Sequence, residues 1–145
     1  MPFRSSGAFS RFAIAGAQIP PLLAAANGRV RFAQVISSGF GEVDEGRDLQ
    51  QKLVDAARAG GMRLIGPNCL GLYTPRGKVT FTEISPREVG TVGIVSQSGG
   101  LGTDIIRRGR ARGVKFSALV TVGNCADVTP TEFVDYYFAD PQTHV

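Results

Sequence analysis

Short apolar runs alternate along the chain with segments whose apolar residues recur every three or four positions. Phe12-Ala13-Ile14-Ala15, Phe32-Ala33-Gln34-Val35-Ile36, Met62-Arg63-Leu64-Ile65, Val92-Gly93-Ile94-Val95 and the stretch 116–122 have the length and character of buried strands. Leu49, Leu53, Ala56 and Ala57 recur at helical spacing, with Asp48, Lys52, Asp55 and Arg58 left to face water, and Gly60-Gly61 closes that segment. Helices are also predicted from Pro20-Pro21 through Leu22-Leu23-Ala24-Ala25-Ala26 to a stop at Asn27-Gly28, over 101–112 and over 131–138. Strands and helices in turn predict an α/β fold with parallel sheets. Between Tyr73 and Thr91 the periodicity lapses at Pro75, Gly77, Pro86 and Gly90, so this stretch reads as a linker between two domains.

Three of the strands end in small polar residues or glycines: Ser37-Ser38-Gly39, Gly66-Pro67-Asn68 and Ser96-Gln97-Ser98-Gly99-Gly100. Ligands of open parallel sheets bind outside the carboxyl ends of the strands, so function is expected at these junctions. In the third, hydroxyls and side-chain-free amides meet at the start of a helix, where N–H groups lack intrahelical partners and the dipole attracts anions. Phosphate chemistry is the expectation. The standard nucleotide motifs are missing, since Gly71 to Lys78 puts five residues between its glycines where a Walker loop has four, and Val79 stands where the hydroxyl belongs. No G-x-G-x-x-G turn follows the first strand. A serine hydrolase is a weaker alternative: Ser98 sits at a strand-to-helix turn with Asp140 and His144 downstream, but acid and base crowd into the last few residues.

Composition narrows the partners only slightly. At 145 residues and 43% hydrophobic the chain can bury a core, and a net charge of +4 suits polyanionic ligands without requiring them. Arg107, Arg108, Arg110 and Arg112 complement the C-terminal end of a helix with Asp104 nearer its start, so no nucleic-acid partner is expected. No apolar run is long enough to span a bilayer, which leaves a cytoplasmic location and no membrane partner as expectations. Cys69 and Cys125 lack zinc-site spacing, no metal site is expected, and Cys69 reads as a packed thiol, not a nucleophile.

The stretches Val35 to Glu42, Arg63 to Gly71 and Gly93 to Gly102, extended by Gly123-Asn124-Cys125-Ala126-Asp127-Val128 and Asp140-Pro141-Gln142-Thr143, resemble in order and spacing the CoA-ligase α region of ADP-forming acyl-CoA synthetases, relatives of succinyl-CoA synthetase. The resemblance implies a truncated Rossmann-like CoA-binding domain over 1–84, followed over 85–145 by the start of a flavodoxin-like, succinyl-CoA ligase-like parallel-sheet domain. It implies an acid–CoA ligase that interconverts acyl-CoA, ADP and phosphate with a carboxylic acid, CoA and ATP through an acyl phosphate and a phosphohistidine. By matching position Ile36, Ser37 and Ser38 would contact coenzyme A, Gly66, Pro67 and Asn68 would lie near its thiol end, and Ser96, Ser98, Gly99 and Gly100 would hold the phosphoryl group.

The same resemblance implies that the glycine-rich turn for the CoA phosphates precedes the visible region. The phosphohistidine would lie downstream of Val145, and ATP or ADP with Mg would be bound by an ATP-grasp domain or subunit absent from this chain. No catalytic residue is therefore assigned within it. The expectation is a fragment that is inactive alone and prone to oligomerise through an uncovered sheet edge. The alternative reading is a non-catalytic module of a protein acyltransferase that binds CoA esters for regulation.

Overall fold

The computed structural model describes residues 12–15, 30–80 and 85–144. The helix expected over 20–28 lies outside them. The elements are β1 (Phe12–Ala15), β2 (Phe32–Val35), a 3-10 turn (Asp44–Gly46), α1 (Arg47–Ala59), β3 (Arg63–Ile65), β4 (Leu72–Tyr73), β5 (Val92–Ser96), α2 (Gly99–Ala111), β6 (Phe116–Thr121) and α3 (Pro130–Ala139). They form two three-stranded sheets, one parallel in the order β1-β2-β3 and one in the order β4-β6-β5.

In α1 the apolar face buries Leu53, Val54 and Ala57 against Ala33, Val35 and Leu64 of the first sheet, while Asp48, Lys52 and Asp55 stay in water. Helix α2 begins two residues before the expected 101, because Ser98 caps it: its Oγ accepts the Leu101 N–H at 3.3 Å. Helix α3 starts with Pro130 in its first turn, and the Glu132 carboxylate turns back to accept the Thr129 N–H at 3.0 Å.

The stretch 73–91 is more than a linker. Strand β4 runs antiparallel to β6, pairing Leu72 with Val120 and Tyr73 with Leu119, so the second sheet is mixed. A bridge between Thr74 and Val79 closes the turn that Pro75 and Gly77 make possible. Tyr73 is 1% exposed, and its hydroxyl donates to Pro86 O at 2.8 Å. A two-residue strand has no period to read, so the breakers around it hid it.

The two sheets are stitched together by the loop after β6. Ala126 N–H donates to Gly66 O and Val128 N–H to Leu64 O, both at 3.0 Å, which covers the free edge of β3. Behind that seam Ile65, Leu72, Val120, Val122, Val128 and Phe133 form a shared apolar core. Strand β5 lies at the other edge of its sheet, and its Val92, Ile94 and Val95 are only partly buried.

Candidate functional site

The carboxyl ends of β2, β3, β5 and β6 meet at the seam. Asn68 N–H donates to Ser37 O, Asn124 N–H to Pro67 O, both at 2.9 Å, and Gly123 N–H to Gln97 O at 3.3 Å. The Gln97 side-chain amide returns a bond to Gly123 O at 3.3 Å. Gly123 is required here: its φ is +53°, and a Cβ would stand 2.1 Å from Pro67 O. The four junctions thus form one continuous surface.

At the end of β2, Ile36 is 39% exposed, Ser38 is exposed and Ser37 half-buried. Gly66 and Pro67 are buried and shape the turn, leaving Asn68 as the exposed member of that trio. At the end of β5, Ser96 is buried with its Oγ donating to Ser98 O at 2.8 Å, so it braces the turn. Ser98 and Gly100 are exposed. Gly99 packs against Leu70, two residues after Asn68, since a Cβ on it would lie 2.4 Å from Leu70 Cβ. Gly100 has no such neighbour, with only Ser98 Oγ at 3.9 Å. As the first helical residues, Gly99 and Gly100 have N–H groups without intrahelical partners.

Two polar clusters brace this surface, and neither has a role assigned by the sequence pattern. In the first, the Asn124 amide donates to Glu42 Oε2 and, at 3.0 Å, to Gln50 Oε1, and its Oδ1 accepts from Asn68 Nδ2 at 3.3 Å. Desolvation raises the Glu42 pKa, but the bonds from Asn124 and from the Gly39 and Phe40 N–H groups outweigh it and bring the carboxyl down to about 2. In the second, the fully buried Asp127 carboxylate accepts from Arg58, from Arg63 and from Leu64 N–H at 2.8 Å. Burial opposes its ionisation, yet those donors hold its pKa below the usual carboxylate range. Arg58 is therefore partly committed to an ion pair and does not simply face water. The partners are 64 and 69 residues apart, beyond any local pattern.

Other candidate groups fall away from the surface or are engaged. Desolvation pushes the buried Cys69 thiol up to about 11, and its Sγ contacts Val35 O at 3.4 Å, which leaves it inert. Arg107 and Arg108 pair with Asp104 along α2. The hydrolase alternative is overturned by geometry: His144 N–H binds Thr91 O at the start of β5, whereas Ser98 follows its end. Five strand residues between them span about 17 Å, and Asp140 is tied to Thr143 beside His144. Among the described residues no group of three or more His, Cys, Asp or Glu side chains could hold a metal ion, and no helix is long and apolar enough to cross a membrane.

Residues 89–145 match the succinyl-CoA ligase like flavodoxin domain. Over 114 residues the chain is 37% identical to the α subunit of ADP-forming acetate–CoA ligase II of Pyrococcus furiosus, a match covering 78% of this chain and 25% of that subunit. It is 33% identical over 122 residues to the ADP-forming 4-hydroxybutyrate–CoA ligase of Nitrosopumilus maritimus, covering 81% of this chain and 17% of that enzyme. The dinucleotide forming acetyl-coenzyme A synthetase 1 of Ca. Korarchaeum cryptofilum, solved with phosphate and ADP, superposes with a TM-score of 0.74 at 35% identity, covering 86% of this chain and 26% of that one. A crystal structure of a Pyrococcus horikoshii OT3 protein gives a TM-score of 0.83 at 32% identity, with 91% of this chain and 32% of that one covered.

Residues 89–145 carry the succinyl-CoA ligase like flavodoxin domain, and the chain as a whole is similar to ADP-forming acyl-CoA ligases. It spans about a quarter of the length of the Pyrococcus α subunit it matches.

Proposed function

We propose that this chain forms the part of an ADP-forming acid–CoA ligase in which an acyl group passes between the sulfur of CoA and phosphate. The observation that carries this reading is the contact of Gly99 with Leu70, two residues from Asn68, at the surface where four strand ends meet. Ile36, Ser37 and Ser38 bind CoA there, and Gly66, Pro67 and Asn68 form the turn at its thiol end. Ser96 and Ser98 set the phosphate-binding turn, from which the Gly99 and Gly100 N–H groups offer donors to a phosphate dianion. A phosphate oxygen attacks the thioester carbonyl, the C–S bond breaks, and CoA leaves as the thiolate, giving an acyl phosphate. Fixed donors stabilise the charge on phosphate without reorganising.

Transfer of the phosphoryl group to a histidine and then to ADP with Mg belongs, on this reading, to a segment beyond Val145 and to an ATP-grasp domain or subunit. Residues 1–84 act as the CoA-binding part and 85–145 as the ligase part, a division supported by the start of the matched domain at residue 89, with β4 of the first part pairing into the sheet of the second. Assembly with that partner or with further copies in the cytoplasm fits the half-covered β5 edge and the 88% exposed Phe138. Calorimetric titration of the chain with CoA, with and without saturating inorganic phosphate, tests the reading. Weak CoA binding whose affinity changes when phosphate is present supports adjoining sites, and absence of heat with either ligand at millimolar concentration contradicts it.

A further inference from the structure

We propose that Glu42 and Asn124 are positioning residues that fix the Asn68 side chain with its Oδ1 outward, so that the site offers a hydrogen-bond acceptor to a donor at the thiol end of CoA. The ligand class rests on the proposed CoA reading, but the orientation follows from the side chains alone. An ionised carboxylate only accepts, so the Asn124 group facing Glu42 Oε2 is its Nδ2. Gln50 Oε1 takes the other Nδ2 proton at 3.0 Å, and its own orientation is set by the Gly41 N–H, which donates to that oxygen at 3.0 Å. Asn124 therefore turns Oδ1 toward Asn68, and only the Nδ2 of Asn68 can complete the 3.3 Å bond.

The backbone holds Asn68 in place as well. Its φ is +56°, and its N–H is bound to Ser37 O. Among the described residues nothing donates to Asn68 Oδ1, and the residue is exposed. An amide carbonyl oxygen repels anions and accepts S–H or N–H. The surface thus has two polarities: donors at Gly99 and Gly100 for phosphate, and an acceptor at Asn68 for the CoA thiol or the last amide N–H of its pantetheine arm.

The test compares Glu42→Gln and Asn124→Ala with the unaltered chain by calorimetry against CoA, desulfo-CoA and inorganic phosphate, with melting temperatures in parallel. Glutamine at position 42 can donate or accept, so it keeps the volume and releases the orientation. Both variants are expected to weaken CoA about fivefold to tenfold, the loss of one hydrogen bond, with phosphate affinity unchanged. Unaltered desulfo-CoA affinity assigns the donor to S–H, and a parallel loss assigns it to the amide. Unchanged CoA affinity in both variants overturns the proposal, as does a parallel fall in phosphate affinity. If the unaltered chain binds no CoA, the proposed function fails with the ligand assignment. The orientation is then judged by the Asn68 side-chain amide resonances, whose contacts to Asn124 must vanish in Glu42→Gln for it to stand.

Discussion

The loops that follow β3 and β6 and those that follow β2 and β5 lie on the same surface, yet they are built in opposite ways. The first pair is closed apart from Asn68: Gly66, Pro67, Gly123 and Asp127 are buried, and the Gly66 and Pro67 carbonyls and the Asp127 carboxylate bond across the seam between the sheets. The second pair is open, with Ile36, Ser38, Ser98 and Gly100 exposed to solvent. Polar groups that the protein already satisfies make a rigid platform, and polar groups that it leaves unsatisfied can take a ligand. The comparison separates residues of similar chemical type by what surrounds them.

Breaking the closed pair has the largest expected effect. Asp127→Ala strands two partly exposed arginines and the Leu64 N–H, and should destabilise the chain by about 3 kcal/mol in urea denaturation. Because the folded pKa of Asp127 is depressed, its contribution is fully present above its unfolded value and is lost as pH falls through the folded one. Stability should therefore decline from about pH 5 downward, and Asp127→Ala should flatten that decline. Gly123→Ala attacks the same seam through backbone, with a positive φ and a Cβ 2.1 Å from a carbonyl oxygen. A loss of about 2 to 3 kcal/mol is expected from its thermal unfolding.

The open pair should respond more weakly in stability and more strongly in binding. Ser98→Ala removes the cap of α2, at a cost of about 1 kcal/mol in denaturation, and should also reduce phosphate affinity. The two adjacent glycines provide the smallest and sharpest contrast. Gly99→Ala collides with Leu70 and should lower the melting temperature, whereas Gly100→Ala meets only Ser98 Oγ at an ordinary contact distance of 3.9 Å and should leave stability equal or about 0.5 kcal/mol higher. Equal effects at 99 and 100 would erase the difference between a packing glycine and a solvent-facing one.

Much of this was legible from periodicity. The apolar runs mark all strands but β4, and the helical spacing around Leu53 finds α1 and its buried face. Strand-end glycines and hydroxyls also point to the surface on which the site is built. The seam itself was hidden because it depends on distant pairs: Asp127 with Arg58 and Arg63, and Asn124 with Glu42 and Gln50. An Asn-Cys-Ala-Asp sequence in a loop carries no local signal that its amide is engaged or its carboxylate buried. Nor can spacing tell Gly99 from Gly100, since only the position of Leu70 distinguishes them.

The central claim is that the turn after β5 is open to a phosphate dianion while the platform beneath it stays closed. Titrating isotope-labelled chain with inorganic phosphate and following backbone amide shifts tests this most directly. Saturable shifts confined to Ser98, Gly99, Gly100 and Leu101, with Gly123 and Asn124 still, are the result the account predicts. Shifts scattered over the arginines of α2, or none at the Gly99 and Gly100 amides at millimolar phosphate, would contradict it.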